Sequence, residues 1–227
     1  MKLKWLFIIS LSVNVAAIFF AAKRIYYSID RSSKEKKITY YLDRNTVYDL
    51  FKVDSTDIVF AGNSHTQMFD IEEYFTGNRI KNRGISGDIS AGLLNRLDQF
   101  TKGHPKKVFI EIGFNDIIKK INSDSIAKNI KLICEKITRD SPRTKVYVLS
   151  VFPSDATIGK VYVKDSIPIL NQKIKSYCAK AGISYIDLYS GMSDNGGLRK
   201  EFDSGDKIHL NGQGYLFWSE KIKAYLF

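Results

Sequence analysis

Hydrophobic positions in this chain follow two rhythms. From residue 57 onwards, short apolar or β-branched runs alternate with longer stretches in which apolar residues recur every three or four positions. The short runs cover residues 57–61, 107–112, 145–151 and 183–188, with a more polar one at 79–83. They are too short for helices and read as buried strands. The longer stretches, 88–100, 123–139, 166–181 and 211–226, read as helices, with 69–75 as a helical turn. In the second of them Ile126, Ile130, Ile133 and Ile137 line one side. Strands alternating with helices predict an α/β fold: a central five-stranded parallel sheet covered on both faces and joined by right-handed crossovers. The longest connections, 153–165 and 190–207, are expected to wall a site at the sheet edge.

Before residue 57 the pattern changes. A basic start, with Lys2 and Lys4, leads into residues 5–22, which carry no charge and are long enough to span a bilayer. Phe19 and Phe20 stand where a cleavage site wants small residues, so the segment reads as an uncleaved signal anchor, with a cleaved signal peptide as the alternative. Lys23, Arg24, Arg31, Lys34, Lys36 and Lys37 follow it, and the positive-inside rule would leave the rest of the chain cytoplasmic. A basic-then-apolar N-terminus marks export, and the extracytoplasmic side is the expectation. Residues 25–56 read as a polar connector with a short helix capped by Asn45. The expected organisation is therefore 1–24 anchor or signal, 25–56 connector and 57–227 α/β domain.

A length of 227 residues fits one ordinary domain plus this extension. A hydrophobic content of 44% excludes a disordered chain. The net charge is +11, with ten Lys or Arg against five Asp or Glu in residues 1–56. No arginine-rich stripe interleaved with aromatics accompanies it, so nucleic acid is not an expected partner. Cys134 and Cys178 each fall inside a predicted helix, without a C-x-x-C pair or a histidine cluster. That pattern argues against a zinc site and for two separate buried thiols.

Candidate chemistry sits where strands end, the place where open α/β sheets bind ligands. Gly62-Asn63-Ser64 turns sharply after the first strand and presents Ser64, a nucleophile or an ordinary helix cap. It is not a G-x-S-x-G elbow, because Thr66 occupies the second glycine position. After the second strand, Gly87 stands at the mouth of a helix, where a backbone N–H can face an anion. After the third, Gly113-Phe114-Asn115-Asp116 offers the Asn115 amide as a donor. Near the C-terminus, Asp206 precedes His209 by three residues, close enough to hold its imidazole in one tautomer. Each has a plain structural reading alone. Together they supply a nucleophile (Ser64), a general base (His209), its orienter (Asp206) and an oxyanion hole from Ser64 N–H, Gly87 N–H and the Asn115 amide.

These four blocks, in this order, resemble those of the SGNH or GDSL hydrolases, which carry Ser, Gly, Asn and His. The resemblance runs from about residue 57 to the C-terminus, and the stretch His209-Leu210-Asn211-Gly212-Gln213-Gly214-Tyr215 is similar to bacterial members. It implies a flavodoxin-like three-layer α/β/α sandwich and ester hydrolysis through an acyl-enzyme, with neither metal nor cofactor. The sequence departs from the family where Asn63 replaces the usual Asp and where His65 follows the serine in place of an aliphatic residue. His65 could contact substrate; facing solvent is the expectation. His104 reads as structural.

The function expected is hydrolysis of short-chain esters, foremost O-acetyl groups on a cell-envelope or dietary glycan, because the chain has no room for a lid domain. A lysophospholipase or thioesterase, a glycan O-acetyltransferase and a non-catalytic glycan-binding module are the alternatives.

Overall fold

The computed structural model describes the backbone of residues 2–158 and 161–226 and the side chains of residues 18–156 and 163–226. The chain forms two compact units, Met1–Asp43 and Arg44–Phe227. The second holds a sheet of five parallel strands: β1 (Ile58–Gly62), β2 (Ile80–Gly84), β3 (Lys107–Glu111), β4 (Lys145–Leu149) and β5 (Ser184–Ile186), in the order β2-β1-β3-β4-β5.

Alternation along the strands sorts the core into two layers. Val59, Ala61, Val108 and Ile110 face one side, against Ile126, Ile130, Ile133 and Ile137 of helix Ser123–Asp140 and Ile167, Leu170 and Ile174 of helix Ser166–Ala181. Cys134 and Cys178 lie in this layer as free, buried thiols. Ile58, Phe60 and Phe109 face the other side, against Trp218, Ile222 and Leu226 of helix Gly212–Leu226. On this face the in-register pairs Phe60–Phe109 and Phe109–Tyr147 stack ring on ring at 4.6 Å each, a column that fixes the register of three strands. The expected three-layer α/β/α sandwich is what forms.

Two elements differ from their sequence reading. The helix expected over 88–100 is broken into Ser90–Asn95 and Asp98–Thr101. Arg96 leaves helical geometry at the break, and its guanidinium reaches back to Asp88 at 2.9 Å and to the Gly62 carbonyl at 3.2 Å. The expected polar connector is instead part of one helix, Lys2–Leu50, in which Asn45 is an interior residue and not a cap. Neither Gly nor Pro interrupts residues 2–50, so nothing local stops the helix. Among the described residues no helix is long and apolar enough to cross a membrane. The anchor expected at 5–22 falls mostly on residues 1–17, whose side chains lie outside the description.

The last turn of that helix belongs to the second unit. Tyr48 donates from its hydroxyl to the Gly84 carbonyl at 2.7 Å, and its ring lies between the Arg44 and Arg83 guanidinium groups at 4.7 and 4.8 Å. The long connections carry little of their own: a two-stranded hairpin, Thr157–Ile158 with Val161–Tyr162, then helix Tyr189–Met192 and a second hairpin, Ser193–Asp194 with Gly197–Leu198.

Candidate active site

Ser64 is placed by a turn that only glycine can begin. A Cβ on Gly62 would lie 2.2 Å from the Glu111 carbonyl and 2.4 Å from Thr66 Oγ1. The chain then enters helix Ser64–Gln67, and Asn63 caps it by accepting the His65 N–H at 2.9 Å. The end of β2 packs against this helix so closely that a Cβ on Gly84 would meet the Gln67 nitrogen at 2.3 Å. Asn82 donates to the Thr66 and Phe69 carbonyls at 2.7 and 3.0 Å, and Gln67 Oε1 accepts the Ser86 N–H at 2.7 Å. The loop after β2 is thereby stitched to the serine helix.

The three side chains expected as a triad come together across the fold. Ser64 Oγ lies 3.0 Å from His209 Nε2, and His209 Nδ1 lies 2.6 Å from Asp206 Oδ2. Asp206 Oδ1 accepts the backbone N–H groups of Ile208 and His209 at 2.9 and 2.8 Å, so one carboxylate holds both the loop and the ring. Partial burial works against the Asp206 charge, but the His209 and Ile208 donors outweigh it and hold the carboxyl down at about 2. Asp203 ties the same loop by accepting from Gly205 and Lys207 at 2.9 and 2.8 Å, and Lys207 adopts a positive φ of 64° to allow it. The nucleophile candidate is nearly covered, at 8% exposure, while the His209 and Asp206 side chains are 28% and 48% exposed.

The three expected oxyanion donors are positioned by buried polar links. Gly87 has φ 80° with open space where a Cβ would stand, and neither its N–H nor that of Ser64 donates to another group among the described residues. The Asn115 amide gives one N–H to the Asp88 carbonyl at 2.9 Å, which leaves it a second. Asp88, beside Gly87, is paired with Arg96, which also grips the Gly62 carbonyl. Asp116, beside Asn115, accepts the Ser90 N–H at 2.9 Å and its hydroxyl at 2.5 Å, and Asn129 donates to that hydroxyl at 2.9 Å. Burial pushes both carboxyls above their ordinary range, against Arg96 at Asp88 and against Ser90 at Asp116.

Arg96, Ser90, Asn129 and Glu111 do not stand out in the sequence. The aspartates directly after Gly87 and Asn115 were the available signal, because an acid beside each donor needs a partner. His65 corrects its reading. It does not face solvent: its side chain is 1% exposed, its Nε2 lies 2.9 Å from the Ile208 carbonyl, and its Nδ1 faces Glu111. The reason is the turn, in which the Asn63 cap directs residue 65 inward under Phe114 and Phe152. His104 adopts φ 52° in the loop before β3.

Known proteins resemble this chain. A protein of Streptococcus pneumonia named for platelet activating factor has a similar structure, with a TM-score of 0.78 and 27% identity, covering 87% of this chain and 97% of that one. A GDSL-like lipase from Bacteroides thetaiotaomicron aligns with a TM-score of 0.73 and 26% identity, over 82% of this chain and 96% of its own. The curated relatives are N-acylneuraminate cytidylyltransferases of Streptococcus agalactiae, 20% identical over 186 residues. The match takes in 82% of this chain but 41% of those longer proteins. The profile of the GDSL-like Lipase/Acylhydrolase family matches residues 64–216, about two thirds of the sequence, a span that holds Ser64, Gly87, Asn115 and His209. The chain belongs to the GDSL-like lipase/acylhydrolase family.

Proposed function

We propose that the protein cleaves short-chain esters, foremost O-acetyl groups on a glycan, with Ser64 as nucleophile. The observation that carries the mechanism is the continuous path Ser64 Oγ to His209 Nε2 to Asp206, at 3.0 and 2.6 Å. Ser64 Oγ attacks the ester carbonyl while His209 Nε2 takes its proton. The oxygen that gains charge is met by the Ser64 and Gly87 N–H groups and the free N–H of Asn115. His209 returns the proton to the departing alcohol, which leaves an acyl-Ser64 ester. Water then attacks that ester, its proton passes to His209, and the acid leaves as Ser64 is restored.

The openness of the site favours a small acyl group on a bulky alcohol. Half-exposed Asp206 and part-exposed His209 lie at a rim, and among the described residues the neighbouring connections hold two-residue hairpin strands and no lid domain. The uncharged run at 5–22 supports attachment to a membrane beside a cell-envelope substrate; recovery of the intact protein in a soluble fraction would remove that part of the reading.

Turnover of p-nitrophenyl acetate by the wild type, beside Ser64→Ala, tests the mechanism. Hydrolysis that disappears in the variant is expected; equal hydrolysis by both proteins would dismiss Ser64. Acetyl, octanoyl and palmitoyl esters then test the acyl length. Steep loss beyond acetyl is expected, and a preference for palmitoyl would favour a lysophospholipase or thioesterase instead.

A further inference from the structure

The mechanism leaves one buried ionisable pair unused. His65 and Glu111 are each about 1% exposed, and His65 Nδ1 lies 3.5 Å from Glu111 Oε2. Neither carboxylate oxygen of Glu111 has a hydrogen-bond partner among the described residues, nor does His65 Nδ1. The other ring nitrogen, Nε2, lies 2.9 Å from the Ile208 carbonyl. A carbonyl only accepts, so Nε2 must carry a proton.

That constraint defines what Glu111 does. The Glu111 carboxylate stands 3.5 Å from the other nitrogen, Nδ1. A negative group there favours the ring protonated on both nitrogens, the form that keeps the Nε2–H directed at Ile208. Burial is the largest influence on the His65 ring and opposes its charge, yet Glu111, the Ile208 carbonyl and Asp206 together outweigh it and raise the pKa of the ring. Without Glu111, neutral His65 would be free to carry its proton on Nδ1, and Nε2 would then meet the carbonyl lone pair against lone pair.

The placement ties two loops together. His65 follows Ser64, and Ile208 precedes His209. The contacts Ser64 Oγ–His209 Nε2 and His65 Nε2–Ile208 O are therefore two adjacent rungs between the same two segments, at 3.0 and 2.9 Å. The rings of His65 and His209 also meet edge-on, with centroids 5.6 Å apart. Tyr215 secures the backbone beneath by donating its hydroxyl to the His65 carbonyl at 3.1 Å.

We propose that His65 and Glu111 are positioning residues for the hydrolysis, a buried pair that holds the Ile208 carbonyl and through it sets the His209 ring against Ser64. This rests on the reading of Ser64 and His209 as nucleophile and base.

The test is steady-state hydrolysis of p-nitrophenyl acetate by the full chain as wild type, His65→Leu, His65→Gln, Glu111→Leu and Glu111→Gln, with thermal melts alongside. Displacing a catalytic group by about 1 Å costs about 10²-fold, so the two Leu variants are expected to lose about 10- to 100-fold in kcat with KM nearly unchanged. His65→Gln keeps an amide donor for Ile208, and Glu111→Gln keeps a donor for Nδ1 that leaves the ring proton on Nε2. Both Gln variants are expected to recover most of the loss, which a role in packing alone would not produce. Should a Leu variant fail to fold, His65→Asn, whose amide is too short to reach Ile208, takes its place as the impaired form.

Folded Leu variants with wild-type kcat, equal losses in the Leu and Gln variants, or an effect confined to KM would each overturn the proposal. Ser64→Ala separates this from the broader reading: if it stays active the triad is wrong, and if it is inactive the His65 series judges the pair alone.

Discussion

Asp206→Asn changes one contact in the site and leaves its neighbours in place. Asp206 Oδ1 accepts two backbone N–H groups, from Ile208 and His209. An asparagine keeps both bonds only with its oxygen in that position, so its NH2 group is forced to face His209 Nδ1. Turning the amide over would break two bonds to save one. In the favoured orientation the NH2 donates to Nδ1, the ring proton moves to Nε2, and the nitrogen 3.0 Å from Ser64 Oγ can no longer accept. The same change in a Ser-His-Asp site lowers kcat about 10⁴-fold, and general-base catalysis as a class contributes about 10²–10⁴. This corresponds to roughly 3–5 kcal/mol of transition-state stabilisation. The Asp206 side chain is 48% exposed, so water competes for the ring and the lower half of that range is expected. The assay is kcat for p-nitrophenyl acetate at pH 7, with KM and the melting temperature as controls. A loss of less than about 10-fold with native stability would refute the reasoning, because the tautomer would then not depend on Asp206.

Other consequences follow from the same geometry. Asn115→Ala removes one oxyanion donor, so kcat should drop about 10²–10³-fold with KM little changed; an unchanged kcat would take Asn115 out of the hole. The Asp206 carboxyl, held at about 2, lies below the usual value of about 3.9 for an unfolded Asp. Its contribution to stability is thus complete above about pH 4 and vanishes as the pH falls through about 2, so Asp206→Ala should melt below wild type at pH 7 and converge with it near pH 2. Gly62→Ala should fail to give soluble folded protein, since its Cβ would stand 2.2 Å from a backbone oxygen of β3. Tyr48→Phe loses the hydrogen bond to Gly84 and the one its hydroxyl accepts from Arg44 at 2.8 Å but keeps the ring beside both arginines, so a cost of about 1–3 kcal/mol by denaturant titration is expected. Cys134 and Cys178 should stay silent to a thiol reagent until the protein is denatured, because both are fully buried.

Short-range features were legible in the sequence alone. The alternation of strand and helix periods foretold the five parallel strands and the layers around them, because each run is chosen by its own face of the core. Asp206 and His209 pair within three residues, a contact that spacing suffices to suggest. Gly62-Asn63-Ser64 is likewise a local turn. What needed the tertiary structure was every link across the sheet edge. Ser64 and His209 are 145 residues apart, and nothing in either segment alone measures their separation. Arg96 gains its meaning only once β1 ends beside it, which is why the expected helix over 88–100 breaks there. Sequence gave His65 no visible partner, so a polar residue beside a loop read as solvent-facing. Its partner, Glu111, ends β3, the strand paired directly with β1 but distant along the chain, and burial is a property of what the fold places around a side chain. The site is therefore spelled out block by block in the chain, whereas its working distances are set by long-range packing.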